Sequence, residues 1–140
     1  MTLLVDAAPL VALADPADPN RDTILEIITD ERGALVVPAP TTAEIDYLLG
    51  RRFGHSARRA FLRDLAAGRF TVASLDREDY ATIVELETRY EDLQLGLADC
   101  ALVVLADRYR TDRILSFDER HFRVVKPLRG EAFTVLPADA

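Results

Sequence analysis

The chain has 140 residues, 49% hydrophobic and 29% charged, with a formal net charge of −7. These totals fit one soluble globular domain over residues 1–140 with a real core. They exclude a membrane span and a secretory signal, because no apolar run is long enough and no basic segment precedes Leu3 and Leu4. The single cysteine, Cys100, excludes an internal disulfide and fits a reducing cytoplasm. Net acidity argues against a protein that coats nucleic acid, but not against a nucleic-acid enzyme whose metal site is itself made of carboxylates.

Thr2-Leu3-Leu4-Val5 reads as a buried strand, and Asp6 ends it. Ala7 to Ala14 reads as a short helix with Pro9 in its first turn, followed by a turn cluster from Asp15 to Asn20. Ile24, Leu25, Ile27 and Ile28 predict a one-sided helix over 21–29, broken by Gly33. Ala34 to Val37 is a second buried strand, closed by Pro38 and Pro40. Thr41 is expected to start the next helix, with Ile45, Leu48 and Leu49 inward and Gly50 and Gly54 loosening its end. A further helix over 55–67 turns Phe61, Leu62 and Leu65 inward and Arg58, Arg59 and Arg63 outward.

Arg69 to Ser74 reads as the third strand. Asp76 caps a long helix to about Tyr90, with Tyr80, Ile83, Val84 and Leu86 as its buried side and acids opposite. Leu97 to Tyr109 is apolar nearly all round and predicts the most buried helix. Short strands follow over 113–117 and 132–136, with Asp118 just after the first. Strands alternating with helices imply an α/β fold with a mainly parallel central sheet.

Parallel strands put Asp6 and Asp118 at the carboxyl edge of that sheet, where ligands bind in such folds. The helices run antiparallel to the strands, so first-turn residues Glu44 and Asp99 are expected at the same edge. Two unit charges ~4 Å apart repel by about 4 kcal/mol at an effective dielectric of about 20. Several carboxylates in one pocket therefore need protons or a cation. All-oxygen ligation suits Mg²⁺ or Mn²⁺ rather than zinc.

Each acid also has a plainer explanation. Thr41-Thr42-Ala43-Glu44 has the form of a capping box, Asp99 suits a helix dipole, and Asp118 suits a turn cap before Glu119 and Arg120. Asp6 has no dipole reason to end a buried strand, and the coincidence of all four favours a shared site.

The residues Leu4-Val5-Asp6, Thr42-Ala43-Glu44-Ile45, Gly96-Leu97-Ala98-Asp99-Cys100-Ala101 and Ile114-Leu115-Ser116-Phe117-Asp118-Glu119-Arg120-His121-Phe122 resemble the motifs of PIN-domain ribonucleases, and among them the VapC-type toxins of toxin–antitoxin pairs. The resemblance implies a three-layer α/β/α PIN-like domain and a Mg²⁺- or Mn²⁺-dependent endoribonuclease acting on RNA. It also implies a homodimer and inhibition by a VapB-like antitoxin. Carried over residue by residue, Asp6, Glu44, Asp99 and Asp118 match the catalytic, metal-holding acids, and Ser116 matches a hydroxyl residue two before the last acid. One departure stands out: Ala7 and Ala8 occupy positions where the family usually carries a hydroxyl or amide.

That departure favours one competing reading, a weakly active or inactive PIN-like module that works by binding a protein. An aspartate-nucleophile phosphatase is a poor fit, because Ala8 stands where its second Asp belongs. Arg51, Arg52, Arg120 and Arg123 are candidates to meet RNA phosphates, while ion pairing on a solvated face is the plainer role for any one of them. Tyr47 and Phe53 read as core residues rather than base-stacking ones, Cys100 as a buried inert thiol, and His121 as structural in the turn after Asp118.

Overall fold

The computed structural model describes residues 1–140. Its centre is a five-stranded, all-parallel sheet in the order β3-β2-β1-β4-β5. The strands are β1 (Leu3–Val5), β2 (Leu35–Pro38), β3 (Thr71–Ala73), β4 (Arg113–Leu115) and β5 (Thr134–Leu136). Seven helices surround them: α1 (Ala7–Leu13), α2 (Arg21–Asp30), α3 (Ala39–Phe53), α4 (His55–Ala66), α5 (Arg77–Arg89), α6 (Leu97–Arg108) and α7 (Glu119–Phe122). A short 3-10 turn, Glu91–Leu93, precedes α6.

Alternation along the strands builds three layers. Leu4, Val36, Ile114 and Val135 point into one core, which they share with α5, α6 and Phe122. Leu3, Val5, Val37, Leu115 and Leu136 point into the other, formed with α1 to α4. Helix α6 is buried continuously from Cys100 to Ala106, as its all-round apolarity predicts. This is the expected α/β/α architecture.

Several local expectations need correction. Helix α3 begins at Ala39, with Pro40 in its first turn, because a proline there loses only an N–H that has no helical partner. The capping box at Thr41 and Glu44 therefore does not form. Thr42 donates to the Ala39 carbonyl at 2.7 Å instead, and the buried Thr41 hydroxyl has no partner. Gly50 lies inside α3, and the helix ends only at Gly54, whose φ of 87° is left-handed.

Helices α4 and α5 bury a narrower stripe than expected. Phe61, Ile83 and Leu86 are inside, while Leu62, Tyr80 and Val84 are exposed. Tyr47 is also exposed, at 61%, whereas Phe53 packs against the α1–α4 core. Gly33 does more than follow α2: a Cβ there would lie 2.1 Å from the Met1 carbonyl oxygen. Only glycine lets the chain pass under the N-terminal residue that leads into β1.

Candidate active site

The strand order reverses direction between β1 and β4, where the carboxyl ends of two parallel strands leave a crevice. The register pairs Val5 with Leu115, so the residues that follow, Asp6 and Ser116, lie side by side. The Asp6 backbone N–H donates to the Leu115 carbonyl at 2.9 Å, which extends the pairing one step further. Ser116 is buried, and its hydroxyl donates to Asp6 Oδ2 at 2.8 Å. The same hydroxyl oxygen accepts the Asp118 N–H at 3.0 Å. One side chain thus ties the two strand-end acids together.

Asp6 also caps α1, its Oδ1 accepting the Ala7 N–H at 2.8 Å. Asp99 is the third residue of α6 and reaches back to the Gly96 N–H at 3.4 Å. Asp118 caps α7, accepting the His121 N–H at 3.0 Å. The plainer capping roles are therefore present alongside the shared location. Asp6, Asp99, Asp118 and Glu44 all line one open depression of about 560 Å³, together with Ala7, Ala8, Ala98 and Phe117. Glu44 differs from the other three. It is the sixth residue of α3, beyond the reach of the helix-end charge, and is exposed at the rim with no hydrogen bond.

Burial raises the pKa of Asp6; the Asp118 charge adds to the rise, and the Ser116 and Ala7 hydrogen bonds oppose it. Burial also raises Asp99, with further contributions from the charges of Asp6 and Asp118 and opposition from Gly96 and His121. Burial first, and the neighbouring charges after it, make the ionised form of these two acids more costly, a cost that a bound cation would offset.

His121, expected to be structural in the turn after Asp118, also lies against these acids. Its Nδ1 lies 2.7 Å from Asp118 Oδ2 and 3.4 Å from Asp99 Oδ2. Neither oxygen is aligned to form a hydrogen bond, so a buried ring nitrogen stands against two carboxylates without a hydrogen-bond partner. Donor atoms of Asp99, Asp118 and His121 all lie within 4.8 Å of one another, a set that fits a divalent cation. The sequence held one signal, the i, i+3 spacing of Asp118 and His121.

The candidate arginines divide. Arg51, Arg52 and Arg120 are exposed and make no ion pair within the chain. Arg123 is committed elsewhere: it donates to both oxygens of Asp139, at 2.7 and 2.6 Å, and to Glu119 at 3.0 Å. A guanidinium so neutralised is a poor phosphate contact, and the tie fastens the C-terminal tail to α7.

A parallel sheet carrying acids astride its reversal point defines a class of α/β proteins with a ligand-binding, acidic edge. Comparison with known proteins narrows this. The PIN domain model matches residues 3–127. Ribonuclease VapC26 of Mycobacterium tuberculosis is 41% identical over 135 residues, covering 96% of this chain and all of that protein. In structure the chain is similar to VapC20 of M. tuberculosis, described as a sarcin-ricin loop cleaving toxin, with a TM-score of 0.76 and 18% identity over 84% of this chain and 90% of that one. It is also similar to VapBC2 of Rickettsia felis, solved with a DNA fragment from its promoter, with a TM-score of 0.69 and 13% identity over 96% and 98% of the two chains. The chain belongs to the PIN-domain family and, within it, to the VapC ribonucleases.

No helix is long and apolar enough to cross a membrane.

Proposed function

We propose that this protein is a Mg²⁺- or Mn²⁺-dependent endoribonuclease toxin of a type II toxin–antitoxin pair, with Asp6, Glu44, Asp99 and Asp118 as its catalytic acids. The observation that carries this reading is the shared depression lined by those four residues from four separate elements. Asp6, Asp99 and Asp118 would hold the cation, with His121 against two of them and Glu44 completing the rim. Such a cation polarises a phosphoryl oxygen and lowers the pKa of water at the site.

The chain's own residues do the positioning. Ser116 fixes the Asp6 carboxylate and the start of the Asp118 turn. Asp6 and Asp118, as helix caps, cannot swing away without releasing backbone N–H groups. Arg51 and Arg120 supply free positive charge for RNA phosphates. The binding-module alternative rests on Ala7 and Ala8. Against it, Ser116 already gives Asp6 the hydroxyl contact that the residue after Asp6 would otherwise provide. A VapB-like antitoxin as inhibitor, supported by the likeness to VapBC2, and a homodimer as the working state complete the proposal.

The test is twofold. Mn²⁺ at about 100 times its dissociation constant should stabilise the purified protein by about 2.7 kcal/mol, and Asp99→Asn should lose most of that gain. The wild type should release RNA fragments with 5′-phosphates, and Asp6→Asn should not. Undiminished cleavage by the Asp6→Asn protein would reject the assignment.

A further inference from the structure

The acid depression opens sideways into a second groove of about 250 Å³ between α1 and α3. Ala7, Ala8, Glu44 and Phe117 line both, so the two are continuous. Both helices run away from the sheet's carboxyl edge. Along α3 the groove follows Glu44, Leu48 and Arg52, one helical face at i, i+4 and i+8. Along α1 it follows small residues, which leave it open. Val11, Leu48 and Phe53 make its walls apolar.

Charge at the far end decides what fits. Asp15 and Asp18 line the groove beyond the end of α1. Each has one oxygen held by a turn: Asp15 Oδ1 accepts the Ala17 N–H at 2.9 Å, and Asp18 Oδ1 accepts the Asn20 N–H at 2.8 Å. Their second oxygens have no partner in the protein, and neither does the Arg52 guanidinium beside them. Two carboxylates repel a phosphate, so the backbone of a nucleic acid stays out. A base offering N–H donors is accepted. Phe117, 37% exposed where the groove meets the acid depression, supplies a stacking face for the nucleotide between that base and the scissile phosphate.

We propose that this groove is a base-recognition subsite for an unpaired guanine of the RNA, within two nucleotides of the scissile phosphate. The proposal rests on the nuclease reading above. Guanine is the base whose edge presents two adjacent donors, N1–H and N2–H₂, next to the acceptor O6. The free oxygens of Asp15 and Asp18 accept one donor each, and Arg52 donates to O6. Adenine, cytosine and uracil each turn a ring or carbonyl acceptor toward the carboxylates, which costs affinity.

The test starts by mapping the 5′-phosphate ends that the wild-type protein makes in total cellular RNA. A synthetic RNA containing the preferred site is then prepared with guanine or inosine, which lacks the 2-amino group, at the enriched position. Wild type should favour guanine at one fixed position and cleave the inosine RNA with about 10-fold lower kcat/KM. The Asp15→Asn/Asp18→Asn protein keeps the turns, because an amide oxygen still accepts the N–H. It should cleave both RNAs equally while keeping wild-type stabilisation by Mn²⁺. Cleavage without guanine enrichment, or an unchanged guanine-to-inosine ratio in the double variant, overturns the subsite and leaves the nuclease standing. Absence of any RNA cleavage by wild type removes both.

Discussion

Ser116 makes two contacts that the acids cannot make for themselves. It holds Asp6 Oδ2 as a donor and anchors the Asp118 N–H as an acceptor. Because Ala7 and Ala8 have no hydroxyl, nothing else on the first helical turn shares that task. Loss of such an orienting contact typically costs ~10–100-fold in metal affinity or activity. Ser116→Ala should therefore weaken Mn²⁺ binding and slow RNA cleavage by about that factor, at a stability cost of only about 1–3 kcal/mol. Calorimetric metal titration beside a cleavage assay measures both; unchanged values would show that Asp6 holds its position unaided. His121 poses a related question. Its Nδ1 stands against Asp99 and Asp118, so His121→Ala should weaken Mn²⁺ binding by about 10-fold. Equal Mn²⁺ affinity of variant and wild type would return His121 to a purely structural role.

At the level of elements, α7 is the piece that carries both Asp118 and His121 next to the site, and it is only Glu119–Phe122 long. So short a helix has little stability of its own. The tail secures it: Asp139 accepts two of the three Arg123 bonds and also the Val135 N–H at 2.7 Å. The Arg123 guanidinium lowers the Asp139 pKa from 3.8 to about 2. A folded-state pKa below the unfolded value means that the tie is fully present above pH 3.8 and is lost as pH falls through about 2. Following the Asp139 carboxyl by NMR should give that titration, and Arg123→Gln should return it toward 3.8. A midpoint near 3.8 in the wild type would mean that the tail is untied in solution.

Elements of this kind were unevenly legible in the chain. Leu3-Leu4-Val5 and the apolar run of α6 announce themselves because burial on all sides demands apolar residues at every position. That is why Asp6 and Asp99 could be placed. The start of α3 could not, since Pro40 reads equally as a strand stop and as a first-turn residue, and the difference moved Glu44 out of the first turn. Tyr80 and Val84 failed because Ile83 and Leu86 alone define the buried stripe of α5. The nearness of His121 to the acids was not legible because Asp99, one of its neighbours, is brought near only by tertiary structure.

For the molecule as a whole, a net charge of −7 must be reconciled with a polyanionic substrate. The compensation is local. Many of the basic residues are spent on ion pairs, including Arg58 with Asp46, Arg108 with Asp79, Arg113 with Glu31 and Arg129 with Asp107. Those left unpaired include Arg51 and Arg52 at the end of α3 and Arg120 on α7, all near elements that carry the acids. Association with RNA should then depend on a few phosphate contacts, so that log(kcat/KM) falls with log salt at a slope of about −0.7 per contact for a single strand. Arg120→Ala, which removes one contact outside the guanine groove, should make that slope shallower by roughly one contact and weaken all RNA sequences alike. Arg123→Ala should leave the slope unchanged, because its charge is already spent on Asp139 and Glu119. A slope that responds to Arg123 but not to Arg120 would mean that the tail releases Arg123 when RNA arrives, and that the exposed arginine of α7 faces only water.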